Sequence, residues 1–216
     1  MRVGVVSDIH GNKYALDTVL EELQPIDLLV CCGDIVGYGP HPEYCVRRIR
    51  DVADIVVQGN HDRYSSNPTR YNNPAVVGAL RHAQKQLSHH QMRWLQSLPY
   101  IVTDYDYTVF HSHPITPETD VPPEETEEFL QYVDDGTTVM YGHTHTPCYR
   151  EFDTGRVLNP GSVGQPRDGD TRASYGILTS NGGYTERVEY DVEATVQDIH
   201  DEGLSEELAT RLRNGT

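Results

Sequence analysis

Residues 3–12 read VGVVSDIHGN, an apolar run that ends in an acid, an imidazole and an amide. The run is rich in β-branched valine, which favours a strand, and the glycine after it favours a turn. Apolar residues then recur on one helical face over residues 15–23, until Pro25 ends the helix. The stretch is therefore predicted to form a buried strand and a helix, with polar side chains at the carboxyl end of the strand.

The same alternation continues along the chain. Apolar runs at residues 28–32 and 55–57 are separated by a helix that opens at Pro42. Continuous apolar strands separated by amphipathic helices predict βαβ units and a parallel sheet covered on both faces, which is an α/β fold. Further strands are predicted at residues 108–110, 138–141, 149–152, 157–158, 174–179 and 184–190, the last two joined by a hairpin turn.

The remaining segments complete the expected organisation. Residues 73–97 have the pattern of one helix with many polar positions. The tail is predicted to form an acidic helix with Leu204, Leu208 and Leu212. No repeat, low-complexity tract or linker marks a boundary, so we expect a single domain over residues 1–216, with an acidic helical extension at about 191–216.

The chain has 216 residues and carries 17 basic against 33 acidic side chains, a formal net charge of −16. This balance argues against a positive stripe of the kind that binds duplex nucleic acid or anionic lipid. No run approaches the roughly 18 apolar residues of a membrane span, and no signal peptide is evident, so a cytoplasmic protein is expected. Adaptation to high salt is favoured over an acidic partner-binding face as the reason for the charge.

The four cysteines, Cys31, Cys32, Cys45 and Cys148, have no zinc-ribbon or CxxC spacing. Neighbouring residues of a strand point to opposite faces, so Cys31 and Cys32 are poor partners for a disulfide. We therefore expect buried, reduced thiols.

Polar clusters follow five of the predicted strands. The carboxyl ends of parallel strands lie along one edge of a sheet, where open α/β folds bind ligands, so these clusters are expected to converge. They contain Asp, Asn and His and little else that could serve as a nucleophile. They are Asp8-Ile9-His10, Gly33-Asp34, Gly59-Asn60-His61-Asp62, His111-Ser112-His113 and Gly142-His143-Thr144-His145.

The residue types of these clusters indicate transition metals. Imidazole suits Zn, Fe, Mn or Ni, and carboxylate and amide oxygens suit harder ions, so a mixed set fits the first transition row. A pair of such ions about 3.5 to 4 Å apart, bridged by a carboxylate, is the arrangement expected for phosphoester hydrolysis. A single Asp or His at a strand end is a weak signal, because Asp often caps the next helix. The complete ordered set makes a purely structural role improbable, and no GxSxG elbow or Walker loop competes with it.

The ordered motifs resemble those of the calcineurin-like metallophosphoesterases, in particular the small prokaryotic phosphodiesterase branch of that superfamily. The resemblance spans about residues 2–179. It implies a four-layer α/β/β/α sandwich with two divalent transition-metal ions at the strand ends, Mn²⁺ being the first candidate and Fe, Zn, Ni or Co the alternatives. It also implies in-line attack on phosphorus by a hydroxide that bridges the two ions, with no covalent intermediate.

The family pattern, carried over residue by residue, implies two metal sites and a catalytic pair. The first ion would be held by Asp8, His10, Asp34 and His145. The second would be held by Asp34, Asn60, His111 and His143, with Asp34 bridging. His61 resembles the non-ligand histidine that stabilises the transition state or protonates the leaving oxygen, and Asp62 would orient it.

The substrate is less closely defined than the chemistry. The loop at residues 33–40, GDIVGYGP, lacks the phosphate-binding arginine of the serine/threonine phosphatase motif GDxVDRG. A small phosphodiester is favoured, with a dinucleoside polyphosphate or a phosphomonoester as alternatives. Tyr38, Arg63 and Arg167 are candidate substrate contacts, although ordinary surface or turn roles are equally open for them. The competing class is a non-catalytic binding or scaffold module on the same fold, and a homo-oligomer is also open.

The charge balance leads to a prediction about salt. Most acidic residues lie outside the expected site, so at low ionic strength they repel one another and an anionic substrate. We expect thermal stability and turnover both to rise between low salt and molar KCl, because screening weakens this repulsion. Melting temperatures and initial rates across a KCl series test the prediction. A protein that is most stable and most active at low ionic strength would contradict adaptation to salt.

Overall fold

The computed structural model describes residues 1–104 and 106–216. Within those residues, ten strands form two five-stranded sheets. The strands are β1 (Arg2–Val6), β2 (Leu28–Cys31), β3 (Ile55–Val56), β4 (Ile101–Thr103), β5 (Tyr107–Phe110), β6 (Thr138–Met140), β7 (Cys148–Phe152), β8 (Gly155–Asn159), β9 (Ala173–Thr179) and β10 (Gly182–Val188). The first sheet has the order β10-β9-β1-β2-β3, and the second has the order β4-β5-β6-β8-β7.

Helices connect and cover the strands. The α-helices are α1 (Lys13–Glu22), α2 (Pro42–Val52), α3 (Asn60–Tyr64), α4 (Pro74–Gln86), α5 (His89–Ser97), α6 (Val192–Asp201) and α7 (Glu206–Asn214). Two 3-10 segments lie at Pro68–Arg70 and Pro123–Tyr132.

Parallel strands at the centre of each sheet place the functional loops. β1, β2 and β3 run parallel, so the loops that follow them leave the same edge of the first sheet. In the second sheet β5, β6 and β8 are parallel, and β4 and β7 are antiparallel to their neighbours. β9 and β10 extend the first sheet by antiparallel pairing on the other side of β1.

Apolar side chains fill the space between these layers. Val5 of the first sheet and Met140 of the second belong to one buried cluster, which lies between the two sheets. A larger cluster, including Leu16, packs the outer face of the first sheet against the α-helices. Phe110 and Phe129 meet edge to face outside the second sheet, with ring centroids 5.0 Å apart. The expected four-layer sandwich is confirmed, except that its last layer is a 3-10 segment instead of an α-helix.

Helix boundaries differ from the sequence prediction in two places. The single helix expected over residues 73–97 is two helices, because Ser88 caps α5: its Oγ accepts from the Gln91 amide at 3.2 Å. The helical tail is also divided, and Leu204 lies in the connection between α6 and α7. Gly203 has φ of 66° in that connection, a conformation that glycine adopts without strain.

The cysteines occupy the positions that the strand pattern predicts. Cys31 packs among the side chains on the helical side of the first sheet, and Cys32 packs between the two sheets. All four thiols are free and three are buried, but Cys148 is only half-buried, so the expectation of buried thiols is wrong for that residue. Within the described part of the chain, no helix has both the length and the apolar character needed to cross a membrane.

Candidate metal centre

Loops from both sheets bring the polar clusters to one place. Asp8 follows β1, and its amide donates to the carbonyl of Gly33, which follows β2, at 3.0 Å. In the second sheet the amide of Gly142, after β6, donates to the carbonyl of His111, after β5, at 2.9 Å. These backbone hydrogen bonds hold the polar clusters beside one another within each sheet.

The backbone at this place is held in an uncommon conformation. Seven non-glycine residues among those described have positive φ, and six of them belong to the predicted site. The six are Asp8 (53°), His10 (48°), Asp34 (53°), Tyr38 (47°), His143 (71°) and His145 (58°). Left-handed backbone at such residues costs about 1–3 kcal/mol each, so it persists where the surrounding structure fixes it, typically at functional sites.

Two motif glycines are required for space. Gly59 has φ of −85°, which any residue can adopt, but an added Cβ would lie 2.1 Å from Asp34 Oδ1. A Cβ at Gly142 would lie 1.9 Å from Ser7 Oγ and 2.8 Å from Asp8 Oδ2. The two glycines therefore allow the backbone to approach the carboxylates closely.

Three histidines present the same ring nitrogen to the centre. Each donates its Nδ1–H to a backbone carbonyl, which turns Nε2, the nitrogen that would bind a metal ion, toward the centre. The pairs are His10 with Val36 (3.1 Å), His111 with Cys32 (2.7 Å) and His145 with Gln165. All three imidazoles are buried.

Two buried carboxylates face these nitrogens. Asp8 Oδ1 lies 3.2 Å from His145 Nε2 and 3.7 Å from His10 Nε2. Asp34 Oδ2 lies 3.4 Å from His111 Nε2 and 3.8 Å from His10 Nε2. Asp34 thus faces imidazoles from both predicted metal sites, which is the position that a bridging ligand requires.

The donor set fits divalent metal ions. Asp8 Oδ1 is fully buried and receives no hydrogen bond from the residues that the structure describes, a costly state that a cation would relieve. His10 Nε2 and His145 Nε2 face one another at 3.1 Å, so two lone pairs converge beside that oxygen. Asn60 adds an amide oxygen, Oδ1, 3.0 Å from His111 Nε2. Imidazole nitrogens combined with carboxylate and amide oxygens suit first-row transition metals.

His143 takes a different position from the other predicted ligands. Its ring lies 5.2 Å from the ring of His111, and its backbone amide donates to Asp8 Oδ2 at 3.0 Å. Its Nε2, however, lies 3.3 Å from Asp120 Oδ1, an exposed carboxylate. The structure therefore brings six of the seven predicted ligands into one cluster and places His143 at the margin of that cluster.

The predicted catalytic pair lies beside the cluster. The imidazole of His61 is buried, with its ring centroid 4.8 Å from that of His10, and its Nδ1 has no hydrogen-bond partner. Asp62 does not bond this ring. Its Oδ1 accepts from the amides of Ile35 and Val36 at 2.9 and 3.2 Å, and its Oδ2 accepts from the Gly59 amide at 3.1 Å. Any orienting effect of Asp62 on His61 therefore passes through the backbone.

Two of the candidate substrate contacts adjoin the cluster. The ring of Tyr38 lies 4.6 Å from the ring of His61, and Arg167 Nη2 donates to the Tyr38 hydroxyl at 2.9 Å. Arg63 is exposed and stacks over the ring of Tyr64, with its guanidinium carbon 5.7 Å from the centroid. Only Tyr38 and Arg167 have direct contacts that place them at the centre.

Comparison with known proteins assigns the chain to a family. The model of the calcineurin-like phosphoesterase superfamily domain matches residues 1–183. The chain belongs to the calcineurin-like phosphoesterase superfamily. Members of this superfamily are metal-dependent phosphoester hydrolases, and the convergent carboxylates and imidazoles agree with that chemistry, so this chain is a metal-dependent phosphoester hydrolase.

Alignments with individual relatives cover most of the chain. An uncharacterized protein of Methanocaldococcus jannaschii, MJ0912, is 35% identical over 241 residues, which cover 97% of this chain and 96% of that protein. Phosphodiesterase YfcE of Escherichia coli is 27% identical over 195 residues, covering 84% and 89%. A crystal structure of a metallophosphoesterase from Sphaerobacter thermophilus superposes with a TM-score of 0.86 at 34% identity, covering 100% of both chains.

Burial and mutual charge set the protonation of the phosphoesterase centre. Burial opposes ionisation of Asp8 and Asp34, but the neighbouring imidazoles outweigh it and hold both pKa values below their ordinary value. Burial likewise opposes protonation of His111, yet Asp34 raises the pKa of His111 to about 10. Burial lowers the pKa of His145 to about 4. The protein alone thus offsets its paired carboxylates with a proton on His111, a role that a bound cation would take over.

Tyr71 was not among the predicted site residues, and it lies in the irregular segment between Pro68–Arg70 and α4. Its hydroxyl accepts from Asn60 Nδ2 at 2.6 Å, so the amide oxygen of Asn60 is turned toward His111. Its ring also lies 5.0 Å from the ring of His61. Tyr71 therefore fixes which end of the Asn60 amide faces the centre.

This contact predicts the effect of Tyr71→Phe on the phosphoesterase. Without the hydroxyl the Asn60 amide loses its orienting partner, and such outer partners of metal ligands typically contribute about 10–100-fold to metal affinity. We expect the weaker of two Mn²⁺ binding steps to lose affinity by about that factor in calorimetric titration. Tyr64→Phe, which removes a neighbouring hydroxyl bonded to Glu118, is the matched control. Equal Mn²⁺ affinities in the two variants would show that Tyr71 has no such role.

Proposed function

We propose that the protein is a phosphodiesterase that uses two divalent metal ions. The observation that carries the proposal is the buried meeting of Asp8 and Asp34 with three inward-facing imidazole nitrogens. A name given to one relative, the phosphodiesterase of E. coli, supports a diester as the substrate. The ligands of the first ion would be Asp8, His10, Asp34 and His145, and those of the second Asp34, Asn60, His111 and His143.

The protein has a defined part in this chemistry. When bound, the ions would supply Lewis-acid activation of water and neutralise charge on the phosphoryl oxygens. Asp8 and Asp34 remain ionised at neutral pH, because their pKa values are depressed, and so present negative charge to the ions. The Nδ1 hydrogen bonds fix the rings of His10, His111 and His145, so these ligands need no reorganisation on binding.

His61 would act on the substrate directly. Burial lowers its pKa well below the ordinary value, so the ring is neutral at neutral pH and carries one N–H and one acceptor nitrogen. Its Nδ1 is buried and has no hydrogen-bond partner among the described residues, so Asp62 does not fix which ring nitrogen carries the proton. We assign His61 to stabilising the charge that develops on the leaving oxygen, and Asp62 to holding the loop that carries His61.

Tyr38 and Arg167 would contact the phosphoryl group or its ester substituent. Arg167 supplies a positive charge that can pair with phosphate oxygens, and its hydrogen bond to Tyr38 directs the guanidinium toward the centre. The exposed position of Arg63 fits a contact with a more distant part of the substrate. Because the loop at residues 33–40 lacks the phosphatase arginine, we assign the positive charge that pairs with phosphate to Arg167, which reaches the centre through Tyr38.

A substrate panel tests the proposal. Monoesters, diesters, cyclic nucleotides and diadenosine polyphosphates would be incubated with protein loaded with Mn²⁺, Ni²⁺ or Co²⁺, and the products identified by mass spectrometry. The highest kcat/KM for a diester would support the proposal. A higher kcat/KM for a dinucleoside polyphosphate or a monoester would show that this compound class, and not a diester, is the substrate. Tight metal binding without hydrolysis of any ester would instead indicate a binding or scaffold module.

Two variants separate metal binding from catalysis. Asp34→Asn removes the charge that faces both predicted sites, so we expect it to lose bound metal and nearly all turnover. His61→Ala leaves the ligands intact, so we expect two metals per chain and a loss of turnover of about 10²- to 10⁴-fold, the usual contribution of acid–base catalysis. Elemental analysis and kcat for each variant provide the comparison. Full activity in metal-loaded His61→Ala would remove His61 from the mechanism.

A further inference from the structure

The C-terminal helix pair, α6 and α7, lies beyond the residues 1–183 that match the family. It nevertheless packs against the loops of the metal centre. We infer that Asp198 and Thr195 of α6 are positioning residues for one side of the site, the side that carries His10, Tyr38 and Arg167. The kinetic part of this inference rests on the proposed function, whereas the structural part does not.

Asp198 joins two loops of the centre through one carboxylate oxygen. Its Oδ2 accepts from Lys13 Nζ at 3.2 Å and from the Tyr14 hydroxyl at 3.0 Å, both at the start of α1 just after the loop of His10. The same oxygen accepts from His41 Nε2 at 2.8 Å. His41 ends the loop that carries Tyr38, so this oxygen is shared between the two loops.

Backbone bonds carry the effect of Asp198 into the centre. The amide of His41 donates to the carbonyl of Gly11 at 2.8 Å, and the amide of Gly39 donates to the carbonyl of His10 at 2.8 Å. The Tyr38 loop therefore rests directly on the backbone of a predicted metal ligand. Both His10 and Tyr38 have positive φ, so these loops need external contacts to hold them.

Thr195 adds a second junction, through Asn12. The Thr195 hydroxyl donates to Asn12 Oδ1 at 3.1 Å, and both side chains are buried. Asn12 Nδ2 donates to the carbonyl of Gly164 and to the hydroxyl of Tyr190, each at 3.1 Å. Asn12 thus links the His10 loop to the loop that leads to Arg167, and Thr195 orients its amide.

The end of α7 fixes the Arg167 loop from the other direction. The amide of Gly169, two residues after Arg167, donates to the carbonyl of Gly215 at 2.9 Å. A Cβ at Gly215 would lie 2.7 Å from the carbonyl oxygen of Asp170, so the two backbones are in close contact. The helix pair therefore holds both ends of the segment from Gly164 to Gly169.

These contacts reach only one side of the centre. In the described residues, α6 makes no hydrogen bond to the loops that carry Asn60, His111 or His143. Within the same part of the chain, the one bond of the pair toward that side belongs to α7, where Glu207 Oε1 accepts from Asn73 Nδ2 at 3.2 Å. Loosening α6 should therefore disturb the loops of Tyr38 and Arg167 and leave the Asn60 loop unchanged. If the helix pair only added general stability, loosening α6 would disturb the loops on both sides of the centre equally.

Asp198→Asn tests the inference, with Asp201→Asn as the matched control. Both changes remove one negative charge from α6, but Asp201 is exposed, and among the described residues its side chain accepts only from Gln197 Nε2, at 2.9 Å. Hydrogen exchange by mass spectrometry on the metal-loaded protein would follow the Gly39 and His41 amides. We expect their exchange to be about tenfold faster in Asp198→Asn, the factor of a charge-assisted hydrogen bond of moderate strength, and the peptide over α3 to be unchanged.

Steady-state kinetics with a bis-aryl phosphate and Mn²⁺ complete the test. We expect KM to rise several-fold in Asp198→Asn while kcat changes less than twofold, because ester contacts are displaced and most metal ligands are not. Thr195→Val conserves volume and removes the hydroxyl bonded to Asn12. It should show a smaller rise in KM, again with little change in kcat. Identical behaviour of Asp198→Asn and Asp201→Asn, or uniformly faster exchange along the whole chain, would overturn the inference. If the native protein hydrolyses no ester, the proposed function fails, and the exchange comparison still decides the positioning role.

Discussion

Two carboxylates buried side by side are the constraint on which the rest of the structure depends. Asp8 and Asp34 are almost fully excluded from solvent, and two such charges are tolerated only if other groups compensate for the lost water. Each uses one oxygen to accept a backbone amide, from His143 for Asp8 and from His61 for Asp34. The remaining oxygens face the imidazoles, so one half of each carboxylate builds the loops and the other half is available to cations.

The unusual backbone follows from this requirement. Each carboxylate accepts a main-chain amide with one oxygen and faces the imidazoles with the other. This is possible because strand, turn and side chain occupy a very small volume, and that crowding explains the left-handed residues and the close approach at Gly59 and Gly142. Bonds between loops then hold that conformation: the His10 amide donates to the Asp34 carbonyl, and the Gly164 amide donates to the Asp8 carbonyl, each at 3.0 Å. The centre is thus rigid because its neighbours fix it.

The parts of this molecule that depend on local pattern could be predicted from sequence. β-branched runs located nine of the ten strands in the described residues and missed β4. His111, the histidine assigned as a ligand, faces the centre, whereas the Nδ1 of His113 accepts from the amide of Thr116. The break between α4 and α5 was missed although Ser88 and Gln91 form a recognisable capping box. Tyr71 could not have been found, because its contact with Asn60 depends on how an irregular segment returns to the site.

The predicted ligands come from both sheets: Asp8, His10, Asp34 and Asn60 follow strands of the first, and His111, His143 and His145 follow strands of the second. An ion held by ligands of both sheets would cross-link two layers that otherwise meet through apolar side chains. Because such a ligand set exists only when the sheets are docked, the free energy of ion binding also opposes their separation. In this fold one bound ion would therefore support both catalysis and the cohesion of the two sheets.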